Sequence, residues 1–419
     1  MTPIDPDEAA ESGEAPAARR LPATVVALGW VSFLTDVASE MIYPLLPDYL
    51  TRVLRANKAT IGLIEGVAET TAALLRLPSG VLSDRSGRRK PLILLGYGVA
   101  GLVRPLIGLA QNAGTVLGIR FFDRLGKGIR GAPRDAMLAD STVPEQRGRA
   151  FGFHRAMDHA GAALGPVLAF AWLAWRPGDV RTLFLLAFVP GIAVLLVLVF
   201  GLREPARPAG QTSPGGEKPV PRKFQWNLSS FDKRFPWFLA ALLIFVLGNS
   251  SDMFLLLRMS ELGLETKYVP LLWCAFHLAK SGMNLVGGRL ADRYEPRLLL
   301  LAGWLLYALV YVGFGLASHW WQALLLFMAY AVFYGLTEPA EKGLVARWSP
   351  AGSRGAGFGW FNLVLGIGAL PASLVFGFLW DHPRIGSPGA FVCGAALALA
   401  ACAVLAMTFL QRDEVSVRR

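Results

Sequence analysis

The chain has 419 residues, 54% hydrophobic and 17% charged, with a formal net charge of +11. Soluble domains carry about 25% charged residues, whereas this chain repeats apolar runs of about 20 residues, enough to cross a hydrocarbon layer of roughly 30 Å. These features exclude a single soluble globule and imply an all-α polytopic membrane protein.

Residues 1–21 are polar and lack an apolar core, so they read as a disordered cytoplasmic tail, not a secretory leader. The first predicted span, 25–48, carries Asp36 and Glu40 on one helical face, and the second, 60–82, repeats that spacing with Glu65 and Glu69. Paired carboxylates at low dielectric exchange a shared proton, and an acid inside a span is a functional candidate. Plain pairing with Arg and Lys is the alternative. Asp252, in the seventh span, is a further coupling candidate.

After a third span at 91–110, the fourth, 116–138, carries unusual charge for a membrane helix. Each charge facing lipid at its centre would cost about 2.5–3.5 kcal/mol. Arg120, Arg124, Lys127, Arg130 and Arg134 are separated by 4, 3, 3 and 4 residues, which makes one helical stripe. Phe122, Leu125, Ile129 and Ala132 occupy the other side. A basic stripe on a cavity suits a carboxylate or phosphate. Arg124 and Lys127 are the leading substrate contacts, with Arg120, Asp123 and Asp158 beside them. Alternatively, Glu65, Glu69 and Asp158 neutralise the stripe and only fix the bundle. The same stretch contains GKGIRG at 126–131, but it follows no strand and opens no βαβ unit, so it is not a dinucleotide site.

The fifth and sixth predicted spans are 150–173 and 182–201, completing an N-terminal six-helix bundle over 22–202. A cytoplasmic linker, 203–234, is rich in Pro, Gly and charge. The C-terminal bundle, 235–410, holds spans at 236–257, 268–288, 298–317, 322–345, 357–379 and 389–410, and a cytoplasmic tail follows at 411–419. Arg and Lys concentrate in alternate loops, which places both termini in the cytoplasm and the chain in the inner membrane. This distribution also argues against nucleic acid as a partner.

The two halves repeat. GVLSDR at 80–85 returns as GRLADR at 288–293, RGRAFGF at 147–153 as RGAGFGW at 354–360, and SEM at 39–41 as SDM at 251–253. Pro133 and Asp135 align with Pro339 and Glu341, in a plainly apolar span, so the charged stretch is also a membrane helix. Parallel repeats of six spans are a transporter architecture with a path between the halves.

GVLSDRSGRRK at 80–90 resembles the loop signature of the major facilitator superfamily, and GRLADRYEPR at 288–297 sits where that family has its second copy. The resemblance implies two six-helix bundles, related by a pseudo-two-fold, rocking about a central site. It further implies that Asp84 meets the eleventh helix N-terminus, where the dipole favours an anion, and that Arg88 pairs with Asp140. Arg85, Arg134 and Glu341 would belong to the same gate. Gly152, Gly161, Gly165 and Pro166 fit G-x8-G-x3-G-P, similar to the motif of the antiporter branches, although Ala169-Phe170 replaces its usual final Gly-Gly. Close helix packing explains these glycines equally well.

Cys274, Cys393 and Cys402 read as packing residues, and no metal or cofactor pattern is present in the sequence. No Walker loop or catalytic triad pattern points to an enzyme or to ATP-driven transport. The expectation is a monomeric secondary transporter, a proton-coupled exporter of a small organic solute. A proton-coupled importer of an organic anion and a non-transporting receptor on the same scaffold are the alternatives.

Overall fold

The computed structural model describes residues 21–86, 88–142, 146–202, 228–350 and 354–410. The expected terminal tails lie almost wholly outside these residues, as does most of the linker. Twelve long helical rods follow one another. In the first half they are α1 (Ala23–Val53), α2 (Lys58–Ser86), α3 (Lys90–Leu109), α4 (Ala113–Asp140), α5 (Arg147–Trp175) and α6 (Val180–Gly201). In the second they are α7 (Arg234–Glu261), α8 (Val269–Arg293), α9 (Pro296–Leu316), α10 (Trp320–Trp348), α11 (Arg354–Asp381) and α12 (Gly386–Leu410). Eight rods contain segments apolar enough to cross a membrane unaided. The other four, α2, α4, α5 and α8, hold much of the charge that the protein must keep from lipid.

Two interruptions fall at the repeated SEM and SDM segments, in α1 and α7. After Glu40, α1 passes through Met41 and Ile42 into a tight turn of helix at Tyr43–Leu45. Pro44 and Pro47 cannot donate to the helical ladder, so the break falls there. The first part of α7 ends at Gly248; a second begins at Asp252, where the Ser251 side chain accepts from the Met253 N–H. Tyr307 Oη donates to the Gly248 carbonyl at 2.9 Å, which satisfies a backbone group freed by the break.

The halves meet along α2 with α11 and α5 with α8. Glycines make the first contact close: a Cβ at Gly66 would lie 2.7 Å from Leu370 Cα. Polar links between the halves run from Lys58–Glu261 (3.3 Å) and the Ala59 N–H on Asp381 (2.8 Å) to Thr70 on the Gly366 carbonyl (2.7 Å). They seal one face of the bundle, here termed the closed face. Toward the opposite, basic face, Gly152 of α5 and Gly282 and Gly288 of α8 meet nothing within 4 Å. The links pinch the protein at the closed face, while the space between the halves reaches Arg76 and Asn362 toward the other. Gly152 departs from the packing role expected of it, while Gly161 and Gly165 press α5 against the backbone of α1.

Candidate functional site

A cavity of about 640 Å³ lies between the halves. Its walls come from α1, α2, α3 and α4 on one side and α7, α8, α10 and α11 on the other. Both helix interruptions open onto it, through Ile42 and Tyr43 in α1 and Asn249, Ser250 and Ser251 in α7. Interrupted spans at matching positions of the two halves mark a binding site, because freed backbone is tolerated where it lines a cavity.

The wall formed by α4 carries the basic stripe, and most of it is neutralised in pairs. Arg104 Nη2 lies 2.6 Å from Asp123 Oδ1, Arg120 Nη2 2.5 Å from Glu65 Oε1, and Arg124 Nη2 3.3 Å from Glu69 Oε1. Arg130 stacks its guanidinium 3.8 Å from the Tyr97 ring centre. Lys127 and Arg76 are exposed to the cavity and make no ion pair among the described residues.

On α1, Asp36 and Glu40 both line the cavity. Glu40 accepts from Trp273 Nε1 at 2.6 Å and from Ser39 Oγ at 3.3 Å. An added Cβ at Gly161 would approach Asp36 Cβ to 3.1 Å, and one at Gly165 would approach Glu40 Cβ to 3.1 Å. The α5 glycines thus seat the two acid-bearing turns of α1.

The second half presents rings with one acid. Asp252 accepts from Tyr330 Oη at 3.0 Å and from Tyr334 Oη at 3.3 Å. It opens the first turn of the second part of α7, where the helix dipole favours an anion. Lys280 Nζ sits 3.0 Å from Glu338 Oε1 and 3.4 Å from the Tyr334 ring centre.

The structure therefore gathers Asp36, Glu40, Glu69, Arg120, Asp123, Arg124, Lys127 and Asp252 around one cavity. Two expected members fall elsewhere. Asp158 accepts from Ser32 Oγ and lies 3.5 Å from His154 Nδ1 and 3.6 Å from Arg155 Nη1, so it belongs to the α1–α5 contact. Glu65 is 1% exposed and committed to Arg120. At the basic face, Asp140 pairs with Arg89 at 2.6 Å, in place of the expected Arg88. Arg85 and Arg88 are exposed, Arg134 pairs with Asp135 at 2.8 Å, and Glu341 is half-buried outside the cavity wall. The Asp84 side chain lies outside the described residues.

Sequence reasoning missed Arg76 and Arg104, although an Arg inside a predicted span was the signal to follow. It also missed Trp273 and Tyr334, which no pattern separates from ordinary aromatic packing.

Two repeated six-helix halves around a polar cavity that is shut at one face define a membrane transporter. This chain belongs to the Major Facilitator Superfamily, whose sequence pattern matches residues 28–279 and 259–419, and is a secondary transporter. It is 32% identical over 388 residues to an uncharacterized MFS-type transporter of Methanocaldococcus jannaschii, covering 91% of this chain and 94% of that one. It is 24% identical over 343 residues to multidrug resistance protein MdtH of Citrobacter koseri, covering 81% and 82%. Among solved structures, a bacterial homolog of the human lysosomal transporter Spinster, in an inward-facing and occupied conformation, matches with a TM-score of 0.73. It has 16% identity, over 93% of this chain and 96% of that one. The nucleoside transporter NupG matches with a TM-score of 0.74 and 12% identity, over 93% and 100%.

Proposed function

We propose that this transporter exports a small organic solute in exchange for protons, as a monomer in the inner membrane with both termini cytoplasmic. The observation that carries the reading is the seating of Asp36 and Glu40 on Gly161 and Gly165. The antiporter-like glycine motif and the paired cavity acids, read separately from sequence, meet at one helix contact. Such packing fixes two carboxylates where solvent reaches them from the open face. The placement of basic residues makes that open face cytoplasmic, so the cavity is poised to load from inside. The name of the MdtH relative, a multidrug resistance protein, agrees with export.

In this reading Asp36 and Glu40 carry the proton. Substrate loads from the cytoplasm, the contacts at the closed face part, and substrate leaves as protons enter. Asp84, Arg85 and Arg88 close the basic face in the alternate state. Arg124 and Lys127 line the loading path.

Proteoliposomes with an acidic lumen, offered ethidium or tritiated tyrosine, test this. Uphill uptake is expected in the wild type and lost in Asp36→Asn and Glu40→Gln, with counterflow exchange retained. Uphill uptake unchanged in both variants, or absent from the wild type for both solutes, overturns the proposal.

A further inference from the structure

We infer that the cavity selects a zwitterion, with Lys127 and Arg76 taking its anionic end and Asp252 its cationic end. The inference rests on the reading of this cavity as the transport site, and it assigns the chemical class of the cargo.

The charges that remain after internal pairing carry the argument. Arg104, Arg120 and Arg124 on the first wall are occupied by Asp123, Glu65 and Glu69. Lys127 and Arg76 remain, exposed to the cavity and without an ion pair among the described residues, while Arg130, also without one, is buried against the Tyr97 ring. On the second wall Lys280 is committed to Glu338 at 3.0 Å. Asp252 remains, with no Lys or Arg within ion-pair distance among the described residues and with two tyrosine hydroxyls as its partners. Those hydroxyls donate to the carboxylate, which stands in the first turn of the second part of α7. A carboxylate has about four lone-pair sites, so capacity remains for a ligand ammonium.

Free cations thus face a free anion across the two halves. A singly charged solute would leave one of them unanswered in a partly desolvated site. A zwitterion answers both and touches both halves. Trp273 and Tyr334 line the same wall of the cavity, with Lys280 3.4 Å from the Tyr334 ring centre. A cavity of about 640 Å³ accepts more than a single amino acid. Asp36 and Glu40 also line the cavity without an ion pair among the described residues, and they are the acids that the reading above assigns to coupling. Asp252, expected from sequence among the coupling acids, becomes a recognition residue instead.

The test is binding to the purified full-length protein in detergent, without any gradient, by thermal shift and calorimetry. The probes are the dipeptide tyrosyl-tyrosine, its C-terminal amide and its N-acetyl derivative. These are a zwitterion, a cation and an anion on nearly the same frame. The zwitterion is expected to bind the wild type roughly tenfold or more tighter than either, since each derivative lacks one charge-assisted contact. Asp252→Asn should erase the advantage over the N-acetyl form and keep the advantage over the amide. Lys127→Gln combined with Arg76→Gln should do the reverse; both side chains are exposed, so that variant tests the idea without challenging the fold. Equal binding of the zwitterion and either derivative to the wild type, or no binding of any probe, overturns the inference. So does an advantage that survives in both variants. Coupling is read separately in liposomes: selective binding with flux that ignores the proton gradient sinks the export proposal and leaves this one standing.

Discussion

The pairs α2–α4 and α8–α10 are related by the internal repeat, yet their interiors obey different chemistry. At an offset of 208 residues, Glu65 and Glu69 become Trp273 and His277. At the offset of 206 that aligns Pro133 with Pro339, Arg120 and Arg124 become Leu326 and Tyr330. Where the first half closes on Arg120–Glu65 at 2.5 Å, the second stacks Trp273 on Phe327 at 6.3 Å and Phe276 on Tyr330 at 5.8 Å. One backbone arrangement is thus held by buried ion pairs in one copy and by rings in the other. Ion pairs and apolar groups of similar volume are interchangeable in a protein interior only when both partners change together. Duplication offers that change, and the asymmetry leaves a cavity charged on one wall and aromatic on the other.

The largest effect should come from breaking one side of a pair. Glu65→Gln takes from Arg120 its shorter partner and leaves only Asp123 at 3.5 Å; it is expected to destabilise the protein by up to about 3–5 kcal/mol, whereas the double change Glu65→Leu with Arg120→Leu should recover most of that loss. Thermal unfolding in detergent reads both, and a double variant no better than the single one breaks the comparison. Next is the helix seat. Gly165→Ala puts a Cβ 2.7 Å from the Val37 carbonyl oxygen, and should cost about 1–3 kcal/mol through overpacking. The same substitution should depress proton-driven flux more than exchange, because it displaces Glu40; equal losses in the two assays would separate the motif from coupling.

In the second half, Tyr307→Phe removes one hydroxyl from the Gly248 carbonyl. About 1 kcal/mol should be lost, less than for Glu65→Gln because no charge loses a partner. A loss as large as that of Glu65→Gln would show that the ring wall is as polar in its energetics as the charged one. The smallest effect belongs to the basic face. Asp140→Asn removes the Arg89 pair, whose acid is half exposed, and is expected to change stability by about 0.2–1 kcal/mol. Its mark should appear instead in the thiol-labelling rate of a cysteine placed behind the loop at 84–90.

Much of the architecture was legible before the structure. Twelve spans were read; eight of the corresponding rods are apolar enough to cross a membrane unaided, and the charged fourth was read from its repeat partner. Span ends agree with the helices to within a few residues: the core read as 91–110 is the rod Lys90–Leu109. The interruptions were not read, although SEM and SDM, Pro44, Pro47 and the Gly248-to-Ser251 stretch announced them. The site was legible in its charged members, because a charge inside a span has few places to go.

Which charge answers which could not be read, because partners come from different helices. Glu65 and Asp158 looked equivalent in sequence as neutralisers of the stripe. One reaches Arg120, and the other turns to Ser32 of α1 and to His154 one turn away on α5. By itself, then, the sequence determined the helices, the repeat and the list of intramembrane charges, since these follow from local hydropathy and spacing. The tertiary structure decided the pairings and left Lys127, Arg76 and Asp252 facing the cavity. Pairing is set by distances of 3–4 Å between atoms on separate rods, and no periodicity along one rod encodes those.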